Sequence, residues 1–307
     1  MWEPRGLAVE IVDLYTDRGE CFFGKQSPEA KYVVLGVPFD STSSYRPGQR
    51  FAPCEIRRAL YNIEWNSLVI DNATLYDVDI NDIGDVAVVH GDIVTTLDRV
   101  ATVIEDIVGA NKTPIVLGGE HLITYGVMKG FHKAGRRPCL IVLDAHFDLR
   151  SEYLGLQLSH ATVMRRILED MDTPLLAYVG VRAWENEERE YAGERGILYY
   201  TSLSVKRLGP VNVAASLARE TSKCSELYLS IDMDVLDPAY APGVANPEPL
   251  GLNPFEVVQI IHRIAGDARL AGIDLVEIAP PHDCGGITSI LGAKLLLEAL
   301  IANRNAR

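Results

Sequence analysis

The sequence predicts an α/β protein with three layers, α/β/α, around a central, mostly parallel sheet. Segments that read as strands alternate with segments that read as helices throughout the 307 residues, and the strands are near-continuous Val/Ile/Leu runs. A strand that is apolar on both sides is buried on both sides, as happens when helices cover both faces of a parallel sheet. No linker, repeat or shift of composition divides the chain. Residues 1–307 are therefore expected to form one domain, with 1–30 as an N-terminal extension packing on its rim.

The first buried strand is 32–37, Tyr-Val-Val-Leu-Gly-Val. A Gly-, Pro- and Ser-rich loop over 38–50 follows, too long for a tight turn; a loop of that length at a strand end is usually either functional or mobile. Residues 53–60 read as a helix opened by Pro53 in its first turn. Residues 77–85 are acidic and strand-like. Between 91 and 108 the apolar residues Ile93, Leu97, Val100, Val103, Ile104 and Ile107 recur at three and four, the mark of a helix with one buried face. A second buried strand, 114–117, runs through Gly118-Gly-Glu-His121 into a helix containing Tyr125 and Met128. The third strand is 140–143. Helix is then expected over 159–171, strand over 176–181, and a charged, solvated helix over 185–194. Helix at 213–219, strand at 226–231, helix at 254–265, strand at 270–276 and a closing apolar helix at 287–302 complete the order.

Composition narrows the function. Hydrophobic residues make up 48% and charged residues 23%, an ordinary globular balance. Against 29 basic side chains stand 42 acidic ones, a net charge of −13, which disfavours nucleic acid as a partner and suits a small cationic substrate. No apolar run reaches the roughly 20 residues of a membrane span, and the first residues lack the pattern of a signal peptide. The five cysteines (Cys21, Cys54, Cys139, Cys224, Cys284) are odd in number and contain no Cys-x-x-Cys. They read as free thiols of a reducing compartment, with Cys139 and Cys224 packed near the core. A cytoplasmic protein is the expectation. His90, His132, His262 and His282 read as surface or capping residues.

The chemistry collects at the strand ends, where open parallel sheets place their ligands. After 140–143 come Asp144, His146 and Asp148; after 227–231 come Asp232 and Asp234; His121 follows 114–117 and Glu277 follows 273–276. In an extended chain, residues two apart share a face, so each motif can converge on one point. A single Asp after a strand is usually a helix cap. Several buried carboxylates without partners would be costly, and a dinuclear metal site removes that cost. Carboxylate and imidazole ligands without thiolate favour Mn²⁺ over Zn²⁺ or Cu²⁺, and four Asp match two divalent cations in charge. Metal-assisted hydrolysis is the expected chemistry.

Gly118-Gly-Glu-His121, Asp144-Ala-His-Phe-Asp148 and Ser230-Ile-Asp-Met-Asp-Val-Leu-Asp-Pro238 followed by Ala241-Pro-Gly243 resemble the ureohydrolases, the arginase/agmatinase family. Gly36-Val-Pro-Phe-Asp40, Tyr45-Arg-Pro-Gly48 and Asp274-Leu-Val-Glu-Ile-Ala-Pro280 extend the resemblance over nearly the whole chain. It implies an arginase-like fold, two Mn²⁺ per subunit and a metal-bridging hydroxide that attacks a guanidinium carbon and releases urea. One metal would take His121, Asp144, Asp148 and Asp232; the other would take Asp144, His146, Asp232 and Asp234. Asp148 would orient the hydroxide, Glu277 would bind the guanidinium, and His160 would handle substrate or shuttle protons. A trimer or hexamer is implied as well.

Two departures from the family pattern bear on substrate. Gly243-Val-Ala-Asn-Pro247 replaces the usual Gly-Thr-Gly-Thr-Pro and sets Ala245 and Asn246 at the substrate rim. Residues 149–160, with Arg150, Glu152 and Tyr153, lack the Asn/Ser pattern by which arginases hold an amino-acid head. The resemblance is therefore nearest to agmatinase, converting agmatine to putrescine and urea. N(1)-aminopropylagmatine hydrolysis and a catalytically silent metal-binding homologue are the alternatives. Asp40 and Glu152 are candidates for meeting the distal amine.

Overall fold

The computed structural model describes residues 14–17, 27–267 and 270–304; most of the expected N-terminal extension lies outside them. The described strands are β1 (Thr16–Asp17), β2 (Tyr32–Gly36), β3 (Ile80–Val86), β4 (Thr113–Leu117), β5 (Cys139–Leu143), β6 (Leu176–Val181), β7 (Leu198–Thr201), β8 (Leu227–Asp232) and β9 (Leu270–Val276). They form one sheet in the order β1-β3-β2-β4-β9-β8-β5-β6-β7. All neighbours are parallel except β1 on β3.

Period-two alternation feeds two cores, one on each face. Ile141 and Leu143 of β5 join one cluster; Leu140 and Val142 join the other. The first face is covered by α1 (Ala52–Asn62), α6 (Ser202–Leu208), α7 (Pro210–Glu220), α8 (Pro254–Asp267) and α9 (Ile287–Arg304). The second is covered by α2 (Ile93–Gly109), α3 (Ile123–Lys133), α4 (Val163–Asp170) and α5 (Asn186–Glu194). The three-layer architecture and its parallel sheet are therefore as the Val/Ile/Leu runs imply.

Several expectations shift. The helix expected over 159–171 opens with a 3-10 turn, His160–Thr162, because Ser159 and Thr162 close a capping box there; α4 begins only at Val163. The strand expected from 77 starts at Ile80, behind a 3-10 turn, Leu75–Asp77, capped by Thr74. Strand β7 and helix α6 are additions. As an edge strand β7 is half-buried throughout, so it lacks the apolar run by which the central strands announce themselves.

The free-thiol reading is overturned for three cysteines. Cys139 and Cys224 form a disulfide across a sequence separation of 85, and Cys54 is disulfide-bonded as well. Strand β5 lies beside β8 with Cys139 opposite Leu227, which brings the segment entering β8 next to Cys139. Spacing in sequence does not report which strands are neighbours, so the pairing was invisible there. Cys284 remains free and exposed. His262 is also more than a surface residue: its Nε2 lies 2.7 Å from Glu298 Oε2, joining α8 to α9. Among the described residues no helix is long and apolar enough to cross a membrane.

Candidate metal centre and active-site cleft

The four strands that end in unusual polar residues are adjacent at the middle of the sheet, in the order β4-β9-β8-β5. Their carboxyl ends bring His121, Glu277, Asp232 with Asp234, and Asp144 with His146 and Asp148 to one edge. Each Asp-led motif closes locally by the same device. Asp144 Oδ1 accepts a hydrogen bond from His146 N at 2.6 Å, and Asp232 Oδ1 accepts one from Asp234 N at 2.8 Å. These are turns in which a side chain takes the place of a backbone acceptor. The motif after β5 thus converges through a turn, not through the extended chain that its spacing implies. The Ala145 amide donates to Asp234 Oδ1 at 3.0 Å and locks the two turns together.

Two ligand groups result. His121, Asp144 and Asp232 form one; Asp144, His146 and Asp234 form the other, so Asp144 belongs to both. His121 Nδ1 faces Asp144 at 3.1 Å, Asp148 at 3.2 Å and Asp232 at 3.3 Å. His146 Nδ1 lies 3.0 Å from Asp234 and 3.5 Å from Asp144. His121 Nδ1 and Asp144 Oδ2 are buried and make no hydrogen bond. Orphaned buried polar atoms pointing at one spot are costly, and a divalent cation there would satisfy both. The residues fit a metal pair by donor type, burial and convergence.

Electrostatics tells the same story. Burial and the charges of Asp234 and Asp144 raise Asp232 well above the usual carboxylate range. Burial and the Asp144 charge push Asp148 up to about 7. Burial also disfavours the Asp144 carboxylate, but His121 and His146 outweigh it and hold the group low. Carboxylates packed against their own repulsion form a site that positive charge would relieve.

Asp148 and Glu277 both have positive φ, 53° and 66°. Non-glycine residues rarely adopt this region, which costs on the order of 1 kcal/mol or more. Each side chain is thereby turned back towards the strand ends. Glu277 is buried, and its two oxygens accept from the His121 amide at 2.6 Å and from Gln49 Nε2 at 2.9 Å. Burial first, and then the nearby Glu120 charge, push Glu277 up to about 7.

Sequence reasoning missed the layer behind the ligands. Ser230 Oγ donates to Asp274 Oδ1 at 2.6 Å and sits 2.9 Å from His121 Nε2. Since its one proton goes to Asp274, Ser230 accepts from His121 Nε2–H, which in the neutral ring leaves the Nδ1 lone pair facing the ligand group. Asp274 is further held by Thr124 and Tyr228. The signal was present: Ser230 and Asp274 are polar residues inside strands buried on both faces. Gln49 carried no signal, because loop residues have no pattern to break.

The long loop 38–50 packs against the site, through Thr42, Ser44 and Gln49. Gly119 allows its close approach; a Cβ there would lie 1.9 Å from Phe39 O. Glu120, wholly buried, accepts from Thr42 Oγ1 at 2.6 Å and Thr42 N at 2.8 Å, and burial pushes it up to about 7. Thr42 Oγ1 in turn accepts from the His160 amide at 3.0 Å. The His160 ring lies 3.3 Å from Ser44 Oγ and edge-on to Tyr153. Burial, aided by the positive charge of its neighbours, lowers it to about 4, so it is neutral at neutral pH.

A cleft of about 440 Å³ opens onto this centre, with His146, Asp148, His160, Tyr153, Asn246 and Glu248 in its wall. Asn246 is thus at the rim as expected, whereas Ala245 is buried. Asp40 is buried and engaged by Arg50 and the Gly48 amide, so it serves the loop and is not available to an amine. Glu152 is exposed and does not line the cleft.

Comparison with known proteins agrees with this geometry. Residues 30–302 match the Arginase family. The N(1)-aminopropylagmatine ureohydrolase of Thermococcus kodakarensis is 38% identical over 279 residues, 89% of this chain and 90% of that protein. The agmatinase of Bacillus subtilis is 35% identical over 275 residues, 89% and 92% of the two chains. The crystal structure of the agmatine ureohydrolase of Thermoplasma volcanium superposes with a TM-score of 0.81 at 38% identity, covering 90% of this chain and 91% of that one.

Proposed function

The chain belongs to the arginase family, and from that premise we propose that it is a manganese-dependent agmatinase, hydrolysing agmatine to putrescine and urea. The observation that carries this reading is the pair of ligand groups sharing Asp144, with Glu277 beside them. His121, Asp144, Asp148 and Asp232 would hold one metal; Asp144, His146, Asp232 and Asp234 would hold the other. Two such cations, when bound, would lower the pKa of a water in the site and supply hydroxide near neutral pH.

The chain's own residues do the rest. Glu277, held by Gln49 and the His121 amide, offers a fixed carboxylate to the planar guanidinium; the cation favours its ionised form. Asp148 stands against the ligand groups and can accept a proton from the attacking water. His160 is neutral and in the cleft wall, suited to pass a proton to the departing amine. The products balance as water plus guanidine giving urea plus amine.

A specific relative favours a second reading: the Thermococcus kodakarensis protein, named for the aminopropyl substrate, resembles this chain as closely as the agmatinases do. The test is urea release by the Mn²⁺-loaded protein with agmatine, N(1)-aminopropylagmatine, guanidinobutyrate and arginine in parallel. Preference for agmatine supports the first reading and preference for the longer amine the second. No urea from any of them refutes both. A trimeric or hexameric assembly accompanies the proposal, to be tested by light scattering.

A further inference from the structure

Resting on that ureohydrolase reading, we propose that Glu248 is the carboxylate that receives the substrate's cationic tail and sets the preference for amine-ended over carboxylate-ended guanidines. The argument starts from the four carboxylates in the cleft wall, Asp148, Glu185, Glu188 and Glu248. Three already have tasks. Asp148 belongs to the metal centre. Glu188 is buried, accepts from the Leu149 and Glu185 amides at 3.0 and 2.9 Å, and lies 3.9 Å from Arg150. Glu185 is paired with Arg150 at 3.6 Å.

Glu248 differs. Among the described residues its one ion-pair neighbour is His146, whose Nε2 is 3.9 Å from Oε1, and no Lys or Arg lies within pairing distance. Its side chain is 40% exposed, so a solute in the cleft can reach it.

The cations of the cleft are, by contrast, already occupied. Arg150 faces Glu185 and Glu188 and stacks over the Tyr153 ring at 5.0 Å. Arg182 donates to carbonyl oxygens of Gly180, Asp234, Val235, Leu236, Glu248 and Pro249. These bonds include 2.6 Å to Asp234 O and 2.7 Å to Glu248 O. Arg182 thus ties the main chain of Glu248 to that of the ligand Asp234; its charge is felt by the Glu248 carboxylate, but the two form no direct ion pair. The cleft wall is left with one negative charge in excess, in a place tied to the metal centre.

The placement suits a short tail. His146 Nδ1 faces the ligand group and Nε2 faces Glu248, so Glu248 stands one imidazole ring plus 3.9 Å outward of the metal-facing nitrogen. A guanidinium held at the centre by Glu277 with a four-carbon chain leading outward would bring its terminal amine to this wall. A carboxylate tail would meet the same group as repulsion.

The test compares kcat/KM for agmatine and 4-guanidinobutyrate in the Mn²⁺-loaded wild type, Glu248→Gln and Glu248→Lys, with metal content measured alongside. In Glu248→Gln the ratio of agmatine to guanidinobutyrate should fall about tenfold or more, the range for losing a charged hydrogen-bond partner, chiefly through KM. In Glu248→Lys it should move further towards guanidinobutyrate. Equal losses on both substrates would show that Glu248 acts only through His146 and would overturn the proposal, as would an unmoved ratio. A wild type that releases urea from neither substrate would overturn the ureohydrolase reading itself.

Discussion

Replacing Ser230 by alanine removes one buried hydroxyl that meets a ligand group only at the far nitrogen of His121, yet it should cripple that group. In the folded chain Ser230 Oγ joins His121 Nε2, 2.9 Å away, to Asp274 Oδ1, 2.6 Å away. Alanine leaves Asp274 with Thr124 and Tyr228 at 2.8 and 2.9 Å, so that carboxylate stays partnered. It leaves His121 Nε2–H, in a residue only 1% exposed, with no acceptor. An unsatisfied buried donor costs about 1–3 kcal/mol. The ring can escape by presenting its other tautomer or rotating, and either removes the Nδ1 lone pair from the ligand group. Losses of this kind reduce metal affinity or activity about 10–100-fold, which is about 1.4–2.8 kcal/mol and agrees with the first figure. The assay is calorimetric titration of chelator-stripped protein with Mn²⁺, with urea release measured on the same samples. Unchanged Mn²⁺ affinity and unchanged turnover would refute the idea that Ser230 sets the His121 tautomer.

Three further outcomes follow from the same geometry. Asp232→Asn should lower bound metal from two ions per chain to one or fewer and reduce urea release by more than about 100-fold, beyond the loss typical of outer-shell changes; metal analysis with a urea assay checks this. Asp148 is pushed up to about 7 by burial and the Asp144 charge. His121 and His146 are raised well above normal because their carboxylate partners outweigh burial. The metal-free folded protein therefore holds protons that the unfolded chain, with Asp near 3.9, has lost, and its stability falls as pH rises from about 4 to about 7. Mn²⁺ expels those protons, so the gain in Tm on loading should widen between pH 6 and 8; a constant gain would contradict the shifts. Replacing Cys139 and Cys224 together by serine should cost about 2–4 kcal/mol for a link spanning 85 residues. Scanning calorimetry should show Tm lower by roughly 3–6 °C for a chain of 307 residues, with urea release at 25 °C unaltered, because the bond lies at the opposite ends of β5 and β8 from the metal centre.

The candidate donor cluster was legible because metal chemistry demands particular donors. Asp144, His146, Asp148, Asp232 and Asp234 interrupt the chain where apolar strands end, and such residues have few reasons to be buried together. The central strands were legible for a related reason: burial on both faces leaves continuous apolar runs. Edge strand β7, packed only partly, left no such run. Gln49, Thr42 and Glu248 act through partners far along the chain, Glu277 for Gln49 and the cleft as a whole for Glu248, and no local pattern records such partnerships. The disulfide belongs to the same class, as does the His262–Glu298 pair.

By itself the sequence determined the α/β class, the parallel sheet and the candidate donors at the strand ends, since these depend on local periodicity and on which side chains can bind cations. Only the tertiary structure decided that β4, β9, β8 and β5 are neighbours in that order. That order brings donors up to 156 residues apart, His121 and Glu277 among them, within hydrogen-bond distance. It also decided that Asp40 belongs to Arg50 while Glu248 remains open to the cleft. Strand order and pairing are set by how helices of particular length and face pack across the sheet, a property of the whole chain that no single stretch contains.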